Sequence, residues 1–221
     1  MVFVITGASS GIGATTARLA AEQGHAVVLG ARSEERLADL SRETGGLAVR
    51  CDVTEWPDQQ ALIQRALDAH GRVDVVFANA GVGAPRGFES GDVETWRTMV
   101  LTNVYGLALT IRAAMPALRE SRGHLLITSS LAGRRPLKGS LYSATKHAAH
   151  AIAEAARQDL NGTGVRTTII APGMVETEGF SHDLDETLRA DDVARAVMWA
   201  VSQPPHVDVS EILLRPTAQE S

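Results

Sequence analysis

A tyrosine and a lysine stand four residues apart in Tyr142-Ser143-Ala144-Thr145-Lys146, at what reads as the opening of a helix. Residues i and i+4 lie one above the other on one helix face, so a phenol and an ammonium are held side by side. A free tyrosine has a pKa of about 10 and is a poor proton donor or acceptor at neutral pH. A neighbouring cation favours the phenolate and lowers that value. Bringing it to about 7 takes roughly 4 kcal/mol of differential stabilisation. A lysine in a partly desolvated site, helped by a second positive charge, supplies energy of that order. The same spacing arises in any helix that buries a tyrosine beside an exposed lysine, so the pair takes its meaning from the rest of the chain.

A second group of residues suits a phosphate ligand. Gly7, Gly11 and Gly13 in Thr6-Gly7-Ala8-Ser9-Ser10-Gly11-Ile12-Gly13 separate an apolar run from a helical stretch. A helix N-terminus offers unpaired N–H groups and the positive end of a dipole, and glycines let the backbone turn tightly against a pyrophosphate. The next apolar run ends in Gly30-Ala31-Arg32-Ser33. An acid there would hold ribose hydroxyls and repel a 2′-phosphate. Arg32 instead offers a planar fork that binds such a phosphate bidentately. The expected cofactor is NADP(H) in preference to NAD(H). Asp52, in Cys51-Asp52-Val53, either accepts from an adenine amino group or caps the helix that follows.

The elements that must position these residues follow from pattern. Short apolar runs at 2–6, 25–30, 47–51 and 73–78 read as buried strands. Helical stretches separate them, closed by Gly24, Gly45 and Gly71 and opened by Ser33 and Thr54. The second half continues with a helix from Asp92 to about Glu120, a strand at 123–129, the Tyr142 helix to about Leu160 and a strand at 165–171. A loop over 172–189, a helix capped by Asp191 and a strand at 209–215 complete it. Alternation of this kind implies a parallel sheet with right-handed crossovers. The expected fold class is α/β, a doubly wound seven-stranded parallel sheet with helices on both faces, in one domain over residues 1–221 with a substrate flap at 174–190.

Composition narrows the function classes. Among 221 residues 44% are apolar and only 4% aromatic, so the core rests on Ala, Val, Leu and Ile, as in strands buried under helices. The net charge of −5 comes without a basic stripe, which argues against a nucleic-acid surface. One cysteine, Cys51, excludes an internal disulfide framework and a multi-cysteine metal site. No His/Asp/Glu group has metal-ligand spacing. No leader or membrane-spanning run is visible, and the expected location is the cytoplasm.

Six stretches, in order, carry a resemblance that covers the whole chain. They are Thr6 to Gly13, Asn79-Ala80-Gly81, Asn103, Ser129-Ser130-Leu131-Ala132-Gly133, Tyr142 to Lys146, and Pro172-Gly173-Met174-Val175-Glu176-Thr177. Together they resemble the short-chain dehydrogenase/reductase family, in its single-domain branch with a Rossmann-like sheet. The resemblance implies a catalytic set of Asn103, Ser130, Tyr142 and Lys146. It implies that NADP(H) lies along Gly7, Ser9, Ser10, Gly11, Ile12, Gly13, Arg32, Asp52, Val53, Asn79, Ala80, Gly81, Tyr142, Lys146, Pro172, Gly173, Val175 and Thr177. By the Ser-x-x-Gly pattern the catalytic serine is Ser130, 12 residues before Tyr142; a spacing of 13, frequent among relatives, would instead select Ser129. Asn103 would hold a relay water through its backbone carbonyl at a helix kink.

The implied reaction is hydride transfer between nicotinamide and a carbonyl or alcohol of a small molecule, with Tyr142 as general acid/base. Gly83–Phe88, Leu131–Leu137 and Met174–Leu184 would wall the substrate pocket, His182 and Phe180 among them. His147 and His150 read as packing or surface residues. The C-terminal Glu211 to Gln219 resembles a subgroup acting on 3-hydroxy acids and serine-like amino acids. Pairing of the long helices implies a homotetramer or dimer. One rival reading is an NADPH-binding sensor or scaffold without turnover. Another is a sugar-nucleotide epimerase or dehydratase of the extended branch, whose glycine spacing and larger C-terminal region differ.

Overall fold

The computed structural model describes residues 1–176 and 186–219. Val2–Thr6 (β1) is apolar up to its terminal threonine and buried at all five positions, so it lies in the middle of a sheet covered on both sides. Ala26–Ala31 (β2) and Leu47–Arg50 (β3) extend the sheet to one side of it. Val75–Ala78 (β4), His124–Thr128 (β5), Arg166–Pro172 (β6) and Glu211–Leu214 (β7) extend it to the other. The order is β3-β2-β1-β4-β5-β6-β7, and every pairing is parallel.

Alternate strand residues feed two cores. Val4, Val28, Val76, Leu125 and Ile169 pack under Trp56–His70 (α3), Leu107–Ser121 (α5) and Leu141–Asp159 (α6). Phe3, Ile5, Leu29, Phe77 and Ile170 pack under Gly11–Glu22 (α1), Glu34–Thr44 (α2) and Ala190–Ser202 (α7). Each fully buried Phe or Leu contributes about 2 kcal/mol relative to exposure.

Helix starts follow the capping residues with two exceptions. Ser33 accepts from Arg36 N–H and Asp92 from Thr95 N–H, as their types demand. Thr54 does not cap α3: Glu55 holds that place, and Thr54 is drawn to Asp52 instead. Asp191 does not cap α7: Arg189 does, its N–H bonded to the Asp192 carboxylate at 2.8 Å.

One rod runs from Val93–Val100 (α4) through a wide π-helical turn at Leu101–Gly106 into α5. The span Val93–Ser121 is long and apolar enough to cross a membrane by length and composition. Its apolar residues Leu107, Ile111, Ala114 and Leu118 are committed to the core against the sheet, which makes it a core helix. Pro116 sits inside α5, in its C-terminal half.

Candidate active site

Parallel strands bring their carboxyl ends to one edge, and the sheet order places a switch point between β1 and β4. Gly7 follows β1 and Asn79 follows β4. The Asn79 amide donates to the carbonyls of Thr6 at 3.2 Å and Gly7 at 3.4 Å, while Thr6 Oγ1 accepts from the Asn79 and Ala80 N–H groups. Thr128 Oγ1, at the end of β5, donates to Asn79 Oδ1 at 3.0 Å. Three strand ends are thus stitched through one asparagine. Gly7 has φ +65°, and a Cβ there would stand 2.8 Å from the Ala80 Cα, so only glycine fits this turn.

Tyr142 enters in the first turn of α6. Ser140 caps that helix, its hydroxyl accepting from Ser143 N–H at 3.1 Å. The Ser143 hydroxyl accepts from Leu137 N–H at 3.0 Å, which ties the preceding loop to the helix. Lys146 is one turn on, 5% exposed, with Nζ donating to the Thr128 carbonyl at 3.0 Å and lying 5.6 Å from the centre of the Tyr142 ring. Ser130 hydrogen-bonds the Tyr142 phenol and accepts from Ala132 N–H at 3.1 Å. Ser129 points the other way, its hydroxyl 3.1 Å from the Lys146 carbonyl and 2.8 Å from His150 Nδ1.

Asn103 lies on the π-helical turn, 3% exposed. Its side chain spans the Val82 peptide, accepting from N–H and donating to C=O at 2.8 Å each, and reaches Thr145 Oγ1 at 3.1 Å. A Cβ on Gly81 would fall 3.3 Å from Asn103 Oδ1 and 3.5 Å from Lys146 Nζ. Asn103 and Lys146 therefore meet beside the glycine that ends the β4 motif, and Tyr142 with Ser130 joins them at the Lys146 ammonium.

The electrostatics correct one expectation. Burial pushes the Lys146 ammonium down to about 8. Burial also raises the Tyr142 phenol, with the Ser130 hydrogen bond pulling the other way. The lowering expected from Lys146 is not what the protein's own groups produce. Nζ sits at the ring face and bonds a carbonyl, so desolvation of the phenolate dominates.

A short chain dehydrogenase family model matches residues 1–187. Uncharacterized oxidoreductases of Staphylococcus saprophyticus and Staphylococcus epidermidis are 39% and 37% identical, each over 97% of this chain and 97% and 96% of their own. The chain belongs to the short-chain dehydrogenase family. An alcohol dehydrogenase from Thermococcus sibiricus, complexed with 5-hydroxy-NADP, superposes with a TM-score of 0.91 at 32% identity, over 100% of this chain and 98% of that one. Serine dehydrogenase from Escherichia coli does so at 0.92 and 31%, with 100% of both chains covered. A 3-ketoacyl-(acyl-carrier-protein) reductase from Brucella melitensis, complexed with NADH, reaches 0.91 at 26%, covering 97% and 96%. This short-chain dehydrogenase is an oxidoreductase, and its kinship is with nicotinamide-dependent enzymes.

The groove of this dehydrogenase fits such a cofactor. Ser10 caps α1 without spending its side chain on the helix, and the first turn carries no acid. Arg32 is exposed just after β2 and makes no ion pair among the described residues. Asp52 accepts from Thr54 N–H at 3.0 Å and Thr54 Oγ1 at 2.8 Å. Burial opposes its ionisation, but these two bonds, with Arg32 and Arg50, hold it below the usual carboxylate range. Val53 is buried behind it, against Gly106. Gly173 N–H donates to the Leu214 carbonyl at 2.7 Å, which fixes Pro172-Gly173 at the end of β6. Val175 bridges Leu188, pairing the chain on either side of residues 177–185. Thr177, Phe180 and His182 lie outside the described residues.

Several site residues escaped the sequence reading. Thr6, Thr128 and Thr145 each bond an expected site residue. The position of Thr6 and Thr128 at strand ends was the available signal. His150, expected as a packing or surface residue, is bonded on both ring nitrogens.

Proposed function

We propose that this enzyme is an NADP(H)-dependent reductase or dehydrogenase of a small carbonyl or alcohol, with Tyr142 as general acid/base. The observation that carries the reading is the phenol of Tyr142 bonded to Ser130, with the buried Lys146 ammonium over the face of its ring. The cofactor, when bound, supplies the hydride chemistry. Gly7, Ser9, Ser10, Gly11, Ile12 and Gly13 would hold its phosphates, and Arg32 its 2′-phosphate. Asp52, Val53, Asn79, Ala80 and Gly81 would form its adenosine side, and Pro172, Gly173, Val175 and Thr177 its nicotinamide side. Lys146 would also hold ribose hydroxyls.

In reduction, Tyr142 gives its proton to the developing alkoxide while the Ser130 hydroxyl bonds the same oxygen. A phenol kept protonated by burial suits that donor role. Lys146 stabilises the phenolate left behind, and the Asn103 turn holds the proton path behind it. The segments at 83–88 and 131–137 wall the substrate. Exposed Leu101 and Tyr105 on the long rod support self-association through that helix, as dimer or tetramer, and a cytoplasmic location accords with the single free, buried thiol of Cys51.

A panel of aldehydes, ketones and 3-hydroxy acids assayed with NADPH and NADH tests the reading. Turnover should appear with NADPH, and Tyr142→Phe should cut it by about 10³-fold with NADPH binding within about twofold of wild type. NADPH binding with no turnover on any member would leave the sensor reading instead.

A further inference from the structure

His150 lies one turn beyond Lys146 on α6 and touches four separate parts of the chain. Its Nδ1 is 2.8 Å from Ser129 Oγ and 3.0 Å from the Lys146 carbonyl. Its Nε2 is 3.3 Å from Glu211 Oε1 on β7. Glu211 is clamped from outside by the Arg134 guanidinium, through Nε at 3.1 Å and through Nη2. The imidazole and the Glu211 carboxylate are each 15% exposed. The ring has its place because residue 133 is glycine: a Cβ there would sit 2.6 Å from His150 Nδ1.

The two protonation states of the ring demand different partners. In the neutral tautomer that pairs with the carboxylate, Nε2–H donates to Glu211 and Nδ1 accepts the Ser129 hydroxyl proton. A doubly protonated ring donates at both nitrogens, so Nδ1–H turns to the Lys146 carbonyl and Ser129 oxygen, and Ser129 must donate to Lys146 instead. Ser129 adjoins Ser130, which bonds the Tyr142 phenol, and the carbonyl belongs to Lys146 itself. Protonation also sets a cation one turn from the Lys146 ammonium.

Resting on the function proposed above, we propose that His150 is a positioning residue: with Glu211 and Arg134 it braces the Ser129–Ser130 peptide against α6, and its titration redirects the Ser129 hydroxyl and is felt at Tyr142. The charged groups facing it are Glu211 from β7, Arg134 from the turn after Gly133, and Lys146 and His147 from its own helix. Burial lowers the ring below its ordinary value of 6.5; the Lys146 carbonyl raises it, and Arg134, His147 and Lys146 lower it further. The switch therefore lies on the acid side of 6.5, with the neutral ring in place at neutral pH.

The chain has two tyrosines, so carbon-13 NMR of tyrosine Cζ resolves Tyr142 without needing turnover. In the wild-type protein its signal should show an inflection below pH 6.5. That inflection should vanish in His150→Gln and move to lower pH in Glu211→Gln, which removes the carboxylate that favours the charged ring. With substrate, kcat of His150→Gln should fall about fivefold at neutral pH, the scale of one buried hydrogen bond. NADPH affinity should stay unchanged, and the fall in wild-type turnover as pH drops through the His150 titration should disappear from the variant. A Tyr142 signal without the inflection, or one retained in His150→Gln, overturns the proposal. Should His150→Gln misfold, the direction of the Glu211→Gln shift decides. An intact inflection in a protein that turns over nothing would uphold the coupling and overturn the functional reading.

Discussion

At the scale of single residues, charge and burial settle what each group does. Arg32 forms no close ion pair among the described residues, feels Asp52 only through space and stands exposed where β2 ends, so its guanidinium is available to a phosphate. Arg32→Ala should weaken NADPH binding by about 10–100-fold and leave NADH binding within a factor of about two, as expected for a charge-assisted bond; fluorescence titration with both cofactors checks this. Lys146 shows the cost of a working cation. Its folded pKa of about 8 lies below the ordinary 10.5. Between those values the unfolded chain binds more protons, so this group makes stability rise with pH across that window. At pH 7 the buried ammonium costs about 3 kcal/mol by the same bookkeeping. Lys146→Met should therefore be inactive yet more stable than wild type at neutral pH, with the advantage shrinking toward pH 10. Denaturant unfolding at several pH values would reveal it, and a variant less stable at pH 7 would refute the assignment.

At the scale of elements, the start of α6 decides the geometry of the site. Tyr142 follows the Ser140 cap by two residues, so any fraying of that turn moves the phenol. Ser140→Ala should cost about 1 kcal/mol of stability and lower kcat more than it raises the KM for NADPH, measurable by thermal unfolding beside steady-state kinetics. This cap was readable as little more than a helix opening near Tyr142, because serine at 140 and serine at 143 look alike in sequence. The seven strands and their approximate ends were legible from apolar runs and their alternation with helices. Side-chain bonds across the sheet were not: nothing local in Thr128 says that its carbonyl receives Lys146 and its hydroxyl meets Asn79. Two helix caps were misplaced for a similar reason. Thr54 is claimed by Asp52, and Asp192 reaches back to Arg189, and both choices depend on competing partners. The motif Ser-x-x-Gly selected Ser130 over Ser129; in the fold Ser129 faces the α6 backbone while Ser130 meets the phenol.

At the scale of the whole molecule, the sheet carries a buried pH sensor at its far edge from the site. His124 opens β5, 1% exposed, with Nε2 2.7 Å from Thr168 Oγ1 on β6. Burial, aided by Arg166, pushes its pKa down to about 3. The unfolded chain binds a proton that the folded one refuses between that value and about 6.5. The buried ring costs nothing above 6.5 and destabilises the fold increasingly as pH falls toward 3. The full loss is about 5 kcal/mol. His124→Gln should flatten the acid limb of stability between pH 6 and 4, seen by urea unfolding across that range; an unchanged limb would place acid sensitivity elsewhere.

The π-helical turn at Leu101–Gly106 has a consequence for how this molecule can vary. A wide turn holds one residue more than an α-helical turn, and each residue advances a helix by about 100°. The rod before it and the rod after it are therefore out of phase. That offset lets Asn103 face Val82 and Thr145 while Leu107 and Ile111 still meet the sheet and Tyr105 looks outward. Loss of any one residue from 101–106 would straighten the rod and rotate everything ahead of it by about 100°. Chemistry, core and outer face are geared together there, so length in this segment is fixed even where side chains are free to change.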